Sequence, residues 1–225
     1  MIYKIYYSNQ LGGSKNQDYY TPAHVKNQLI DFFEKVLVIF KEFNIHYVAT
    51  DGTLLGAIRH EDIIPWDDDI DIEVNENQLK ILFSDEFKKR LSSENMDIIT
   101  HYINKDNDIP GLVKIFDKDG ISNNVVKSKF PFIDIWINIF NNEKYETNYG
   151  KIYPNYTSYF NKDEFENLID LKFGKLTIKG PSNPENHLDR KYGNNWKTEG
   201  YVACADHVNE SVKNIPCGFK VDLRK

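Results

Sequence analysis

The residues best suited to chemistry lie in one short stretch, Ile64-Pro65-Trp66-Asp67-Asp68-Asp69-Ile70-Asp71-Ile72, where four carboxylates fall within five positions. On an extended chain successive side chains point to opposite faces. Asp67, Asp69, Asp71 and Glu73 therefore share one face, while Ile70, Ile72 and Val74 enter the core. Two carboxylates about 6 Å apart repel by about 3 kcal/mol at an effective dielectric of about 20. A strand beside a core gains nothing from such a row unless positive charge sits on it. Hard divalent cations with oxygen ligands are the usual occupants, and Mg²⁺ keeps one or two carboxylates plus the phosphates of a substrate. The plainer alternative is a solvated acidic turn followed by an edge strand. It suits Asp67 and Asp68 better than Asp69 and Asp71, which are locked into alternation with isoleucines. An EF-hand is excluded, because its glycine and terminal glutamate are absent at the required spacing.

Two further groups belong with this row. Residues 45–50 read as a short buried strand, Asp51-Gly52-Thr53 as a turn, and 53–59 as a short helix. Glycine permits close backbone approach, Thr53 offers a hydroxyl, and a helix N-terminus presents N–H groups to phosphate. Gly-Thr alone is most often only a turn; ahead of an Asp-x-Asp strand it gains weight. A third carboxylate is expected from a neighbouring strand, and Asp134, isolated in Phe132-Ile133-Asp134-Ile135-Trp136-Ile137, is the best candidate. A lone Asp in such a run costs several kcal/mol unless paired, so a salt bridge to Lys114 or Arg59 is the structural alternative. A separate zinc site at Cys204, His207, Cys217 and His187 is conceivable from the Cys-x-x-His spacing, but two buried thiols and a satisfied histidine account for the same residues.

The elements that must position these groups can be placed coarsely. Residues 1–20 read as an irregular lead-in or edge hairpin. Thr21-Pro22 opens a helix as N-cap and first helical residue, with apolar residues from Val25 to Phe40 at helical spacing and an end at Asn44. Residues 69–74 form a half-buried strand, 77–91 a helix, and 97–102 and 112–116 two more strands. In the strand over 132–139, Phe132, Asp134, Trp136 and Asn138 share one face and the isoleucines the other. The Tyr- and Asn-rich region 143–160 reads as a long loop or irregular insertion, and Asn183-Pro184 begins a helix ending near Gly193. The expectation is a single α/β domain over 1–225, with helices flanking a mixed β-sheet.

Bulk properties narrow the class. At 225 residues the chain is long enough to bury a core without staples, and 40% apolar with 28% charged residues is ordinary globular usage. The net charge of −6, with no basic tract, argues against nucleic acid as a partner. Two cysteines cannot form the framework of a small secreted domain. The N-terminus lacks an h-region, and no apolar run approaches the roughly 20 residues of a membrane span. A cytoplasmic protein is expected.

Gly52-Thr53-Leu54-Leu55-Gly56-Ala57-Ile58-Arg59-His60, followed by Ile64 to Ile72, resembles the signature of the LicD family, which includes phosphocholine transferases and, more distantly, fukutin-type ribitol-phosphate transferases. Phe132-Ile133-Asp134-Ile135 and Leu188-Asp189-Arg190-Lys191-Tyr192-Gly193-Asn194-Asn195-Trp196 resemble later family elements, so the likeness is best supported over 25–200. The chain departs from the family in having Asn194-Asn195-Trp196 where Asp-Trp often follows the glycine. The resemblance implies a nucleotidyltransferase-like fold and transfer of a phospho-alcohol from a CDP-linked donor to a hydroxyl of a glycan. It further implies Mg²⁺ or Mn²⁺ on Asp69, Asp71 and Asp134, with Asp67 as a further ligand or orienting group. Gly52 and Thr53 would lie on phosphate, and Arg59 and Lys114 would serve as cationic clamps. Two alternatives are transfer of NMP from an NTP by the same fold, and an inactive binding module.

Overall fold

A computed structural model of the chain describes residues 19–103, 108–122, 127–152, 158–203, 205–209, 211–212 and 218–223. The first half runs α1 (Ala23–Glu42), β1 (Tyr47–Ala49), α2 (Asp51–His60), β2 (Asp71–Asn75), α3 (Leu79–Leu82), α4 (Asp85–Ser93), β3 (Met96–Ile103), β4 (Pro110–Ile121) and β5 (Phe130–Asn141). There follow β6 (Lys144–Thr147), α5 (Tyr149–Ile152), β7 (Tyr159–Asn161), α6 (Lys162–Glu166), β8 (Ile169–Phe173), β9 (Leu176–Gly180) and α7 (Pro184–Tyr192). The last described elements are β10 (Glu199–Val202), β11 (Ala205–Asp206), β12 (Ser211–Val212) and β13 (Phe219–Asp222). The architecture is α/β, with helices and a mixed sheet in the order β1-β2-β5-β4-β3, and β6 and β7 continuing from one end of β5.

Strand β5 sets the register. It runs parallel to β2, with Asp71 opposite Asp134 and Glu73 opposite Trp136. It runs antiparallel to β4, with Lys114 opposite Asp134. Residues paired across strands project to the same side of a sheet, so one face carries Asp71, Asp134 and Lys114 in a row. The other face carries Ile72, Val74, Val113, Ile115, Ile133, Ile135 and Ile137, all fully buried. Helix α1 packs on this hydrocarbon face through Leu29, Phe33, Val36, Ile39 and Phe40, which recur at helical spacing and are likewise buried.

Several local expectations shift. Helix α1 begins at Ala23 with Pro22 as its cap, and Thr21 instead donates its N–H to the Pro65 carbonyl at 2.9 Å, tying the chain's entry to the acidic loop. The helix expected over 77–91 is broken after Leu82, and Ser84 caps a new one by accepting the Phe87 N–H at 3.2 Å. The 143–160 segment is not one long loop: β6, α5 and β7 lie within it, although residues 153–157 fall outside the described set, as does most of the lead-in 1–20. The β8/β9 hairpin and the β10/β13 pair have no counterpart in the expectation. Among the described residues no helix is long and apolar enough to cross a membrane.

The loop after α2 crosses closely over Gly56. A Cβ there would stand 2.6 Å from the Asp62 carbonyl oxygen and 3.3 Å from the Ile64 nitrogen, both backbone atoms with little freedom to retreat. In an open helix, Gly→Ala stabilises by about 1 kcal/mol. Here the clash outweighs that gain, and Gly56→Ala is expected to lose about 1–2 kcal/mol net, read from the urea unfolding midpoint.

Candidate active site

Register and alternation together bring three carboxylates to one point. Oxygens of Asp69, Asp71 and Asp134 lie within 4.8 Å of one another, and among the described residues this is the group of metal-ligating type that converges. Asp69 sits just ahead of β2, in a segment aligned with β5 by the bond from the Asp134 N–H to the Ile70 carbonyl at 2.9 Å. Asp71 is held twice: its N–H donates to Thr53 Oγ1 at 2.8 Å, and its Oδ1 accepts the Trp136 indole N–H at 2.8 Å. Asp134 forms an ion pair with Lys114 at 2.6 Å, and the Lys114 ammonium also lies 3.6 Å from the centre of the Phe132 ring. The salt bridge raised as the structural account of Asp134 is thus present, alongside the convergence.

These acids crowd one another. Burial first, then the charges of Asp69, Asp51 and Asp134, lifts the Asp71 carboxyl well above the usual carboxylate range. Burial also lifts Asp69 well above it, with His207 opposing the rise and Asp67 adding to it. Asp67 is pushed up to about 6, again mainly by burial, with a hydrogen bond to Asp69 opposing. Oxygen donors short of positive charge are the chemistry of a hard divalent cation site, and the residues present fit one.

The glycine turn lies against the same acids. Helix α2 begins at Asp51, and Thr50 caps it without a side-chain bond because its hydroxyl donates to Glu73 Oε1 at 3.0 Å. A Cβ on Gly52 would collide with the Asp67 carboxylate, so any larger residue at this position requires that acid to move. Thr53 Oγ1 is engaged on the Asp71 N–H. Arg59 is engaged at the far end of α2, where its guanidinium donates to the Trp196 and Glu199 carbonyls at 2.9 and 3.3 Å and to His60 Nε2 at 2.9 Å. It lies 6.0 Å from the centre of the Trp66 ring, and Trp66 is itself buried under Gly200 and donates its indole N–H to the Tyr201 carbonyl.

Three sets of contacts escaped the sequence, although it places Glu73 on the acid face and His207 among the candidate zinc ligands. Glu73 ends the acid row in a buried network: Asn138 donates to its Oε2 at 3.1 Å, Asn75 donates to Asn138, and burial pushes the Glu73 carboxyl up to about 7. Lys191 on α7 pairs with Asp51 at 2.6 Å, placing a cation beside the start of α2. His207 comes from the β11–β12 connection, with Nδ1 2.8 Å from Asp68 Oδ1 and Nε2 3.4 Å from Asp69 Oδ2. Burial would lower its pKa, but Asp69 and Asp68 override this and raise it to about 10. Nothing local announces this contact, which spans 139 positions. His207 also bears on the zinc set: it faces Asp68 and Asp69, His187 stacks on Phe160 at 4.1 Å, and Cys204 and Cys217 lie outside the described residues. Beside Asp68 opens a cavity of about 290 Å³ lined also by Tyr19, Tyr20, Val25 and Val208.

A mixed sheet carrying an acid–hydrophobe–acid strand beside a glycine turn, with a third acid from the neighbouring strand, is the layout of a nucleotidyltransferase domain. The family model described as "LicD/FKTN/FKRP, nucleotidyltransferase domain" matches residues 44–183, and the chain belongs to the LicD family. It is 32% identical over 114 residues to the lipopolysaccharide cholinephosphotransferase LicD of Haemophilus influenzae, covering 48% of this chain and 40% of that protein. It is 31% identical over 150 residues to an uncharacterised protein of Rickettsia prowazekii (66% and 48%), and 31% over 154 residues to one of Rickettsia typhi (66% and 40%). The chain thus spans less than half the length of these curated relatives.

Two expected outcomes follow from the electrostatics. Lys114→Met strands a buried carboxylate and is expected to lose about 3–5 kcal/mol in metal-free urea unfolding, most of it recovered in Lys114→Met/Asp134→Asn. His187, buried and held down to about 3 chiefly by desolvation, binds fewer protons folded than unfolded. Its stabilising contribution is complete above the ordinary value of 6.5 and is lost as pH falls from there towards about 3. The urea midpoint of His187→Gln should therefore fall less steeply than wild type over that interval.

Proposed function

We propose that the chain is a metal-dependent phosphotransferase, acting as one LicD-type domain, that moves a phospho-alcohol from a CDP-linked donor to a hydroxyl of a glycan. The observation that carries this reading is the convergence of Asp69, Asp71 and Asp134 beside the start of α2 in a member of this family. Asp69, Asp71 and Asp134 would hold Mg²⁺ or Mn²⁺, with Asp67 as a further ligand or as the group that orients Asp69. The ion, when bound, supplies Lewis-acid stabilisation of the charge that develops on the leaving nucleotide. The backbone at Gly52 and the Thr53 hydroxyl approach the donor's phosphates, and the helix N-terminus favours their negative charge. Lys114 steadies Asp134 and would serve as a cationic clamp. The acceptor oxygen attacks the phosphorus that bears the alcohol, the bond from that phosphorus to the bridging oxygen breaks, and CMP departs. Asp134 takes the acceptor's proton. Arg59 orders the C-terminal segment against α2 through its carbonyl contacts.

The test is a panel of CDP-choline, CDP-ribitol, CDP-glycerol and a nucleoside-diphosphate sugar with Mn²⁺, scoring nucleoside monophosphate release and label on a glycan acceptor. At least one CDP-alcohol should turn over, and both Asp69→Asn/Asp71→Asn and Asp134→Asn should lower the rate about 100-fold or more. Unchanged, equally metal-dependent turnover in the double variant would sink the assignment. Label passing from the nucleoside to the acceptor would make the protein a nucleotidyltransferase instead.

A further inference from the structure

Asp68 has no part in that scheme, yet it is among the most deliberately placed acids in the molecule. Its side chain is 4% exposed, and both its oxygens face the distant β11–β12 connection. Oδ2 accepts the His207 backbone N–H at 3.0 Å, and Oδ1 lies 2.8 Å from His207 Nδ1. A carboxylate is an acceptor only, so it fixes the ring proton on Nδ1 and fixes the direction of the opposite nitrogen. That nitrogen, Nε2, stands 3.4 Å from Asp69 Oδ2. This separation exceeds an ordinary N–H···O bond of about 2.7–3.2 Å. It is the separation of an ion pair to the imidazolium, and it lies within a few tenths of an ångström of adjacent ligands on one octahedral ion, about 3.0 Å apart at bonds of about 2.1 Å. Carboxylate, imidazole and ligand oxygen in this order form the outer and inner parts of a metal site, in which the outer carboxylate orients the ring and raises its basicity. The edge of the Phe132 ring, centred 6.2 Å from the imidazole, covers the arrangement from the β5 side.

We propose that His207, which lies outside the three acids whose ligand atoms already converge, turns its Nε2 onto the same divalent ion as Asp69, with Asp68 as its positioning residue, and that this nitrogen makes the site prefer Mn²⁺ over Mg²⁺. The inference rests on the reading of the aspartate cluster as a cation site. Both ions favour oxygen donors, but Mg²⁺ is the harder ion and dehydrates reluctantly, whereas Mn²⁺, the first member of the transition-metal affinity series, accepts a single imidazole more readily. When the ion binds, it takes the place of the Nε2 proton, which passes to solvent. The segment after α7 thereby closes onto the metal from outside the region that the family model matches, 44–183.

Electron spin-echo spectroscopy of the wild-type protein loaded with one Mn²⁺ decides the point. A nitrogen coupling on the bound Mn²⁺ is expected, shifted by ¹⁵N-histidine labelling and absent in His207→Gln. Calorimetry should show Mn²⁺ affinity falling about 10–100-fold in Asp68→Asn, and by at least as much in His207→Gln, with Mg²⁺ affinity much less affected. The wild-type spectrum needs no variant, so the decision stands even if a substituted chain fails to fold. Bound Mn²⁺ without a nitrogen coupling, or a coupling that survives His207→Gln, would overturn this inference and leave the phosphotransferase reading intact. Failure of wild type to bind Mn²⁺ at all would overturn both.

Discussion

Like charge gathered at one end of two parallel strands is the constraint to which the rest of the chain is fitted. Asp67, Asp69 and Asp71 have their proton affinity raised by burial and by the carboxylates around them, with the charge of Asp134 acting on Asp69 and Asp71. Such an array persists only where the backbone leaves it no alternative. The ladder supplies that rigidity: Asp71 and Asp134 are register partners, and the isoleucines alternating with them are sealed against α1. Turning a carboxylate away would drag hydrocarbon into water at about 25 cal/mol per Å². The hydrophobic face therefore holds the acids together, and positive charge from elsewhere makes the arrangement tolerable.

That positive charge arrives from several directions. Lys114 comes from the next strand, His207 from a connection near the C-terminal end, and Lys191 reaches Asp51 from α7. The start of α2 adds its dipole. Cation and acid pairs of this kind, widely separated in sequence, tie the C-terminal third to the sheet. Arg59 contributes by bonding to carbonyls of residues 196 and 199, and the Trp66 indole bonds to that of Tyr201. The acidic loop and the end of α2 are thereby tied to the segment after α7.

What the sequence revealed and what it hid follow one physical rule. Alternation of acid and aliphatic residues in 69–74 and 132–139 carries its own evidence of face, so the row of Asp69, Asp71 and Asp134 was legible along with the family likeness. Pro184 after Asn183 likewise marked α7 to within a residue, since a proline at the start and a capping side chain act locally. The break at Ser84 was missed, although Ser84 followed by Asp85 and Glu86 is itself a start signal; the apolar period on either side masked it. The roles of Asp68 and His207 had no local signature at all, because 139 positions separate the partners and only the closed fold brings them together. Gly52 was read through phosphate alone, whereas the Asp67 carboxylate packed against it supplies a second and purely steric reason.

Strand β5 is read from both of its edges at once, parallel to β2 and antiparallel to β4, with Asp134 as the shared rung. A single-residue insertion or deletion ahead of Asp134 would invert the strand's two sides, presenting isoleucine to the ion and burying a carboxylate in oil. Length changes during divergence should accordingly be excluded from residues 130–138 and accumulate in the hairpins beyond, which makes the spacing of this strand a stricter mark of descent than the identity of its side chains.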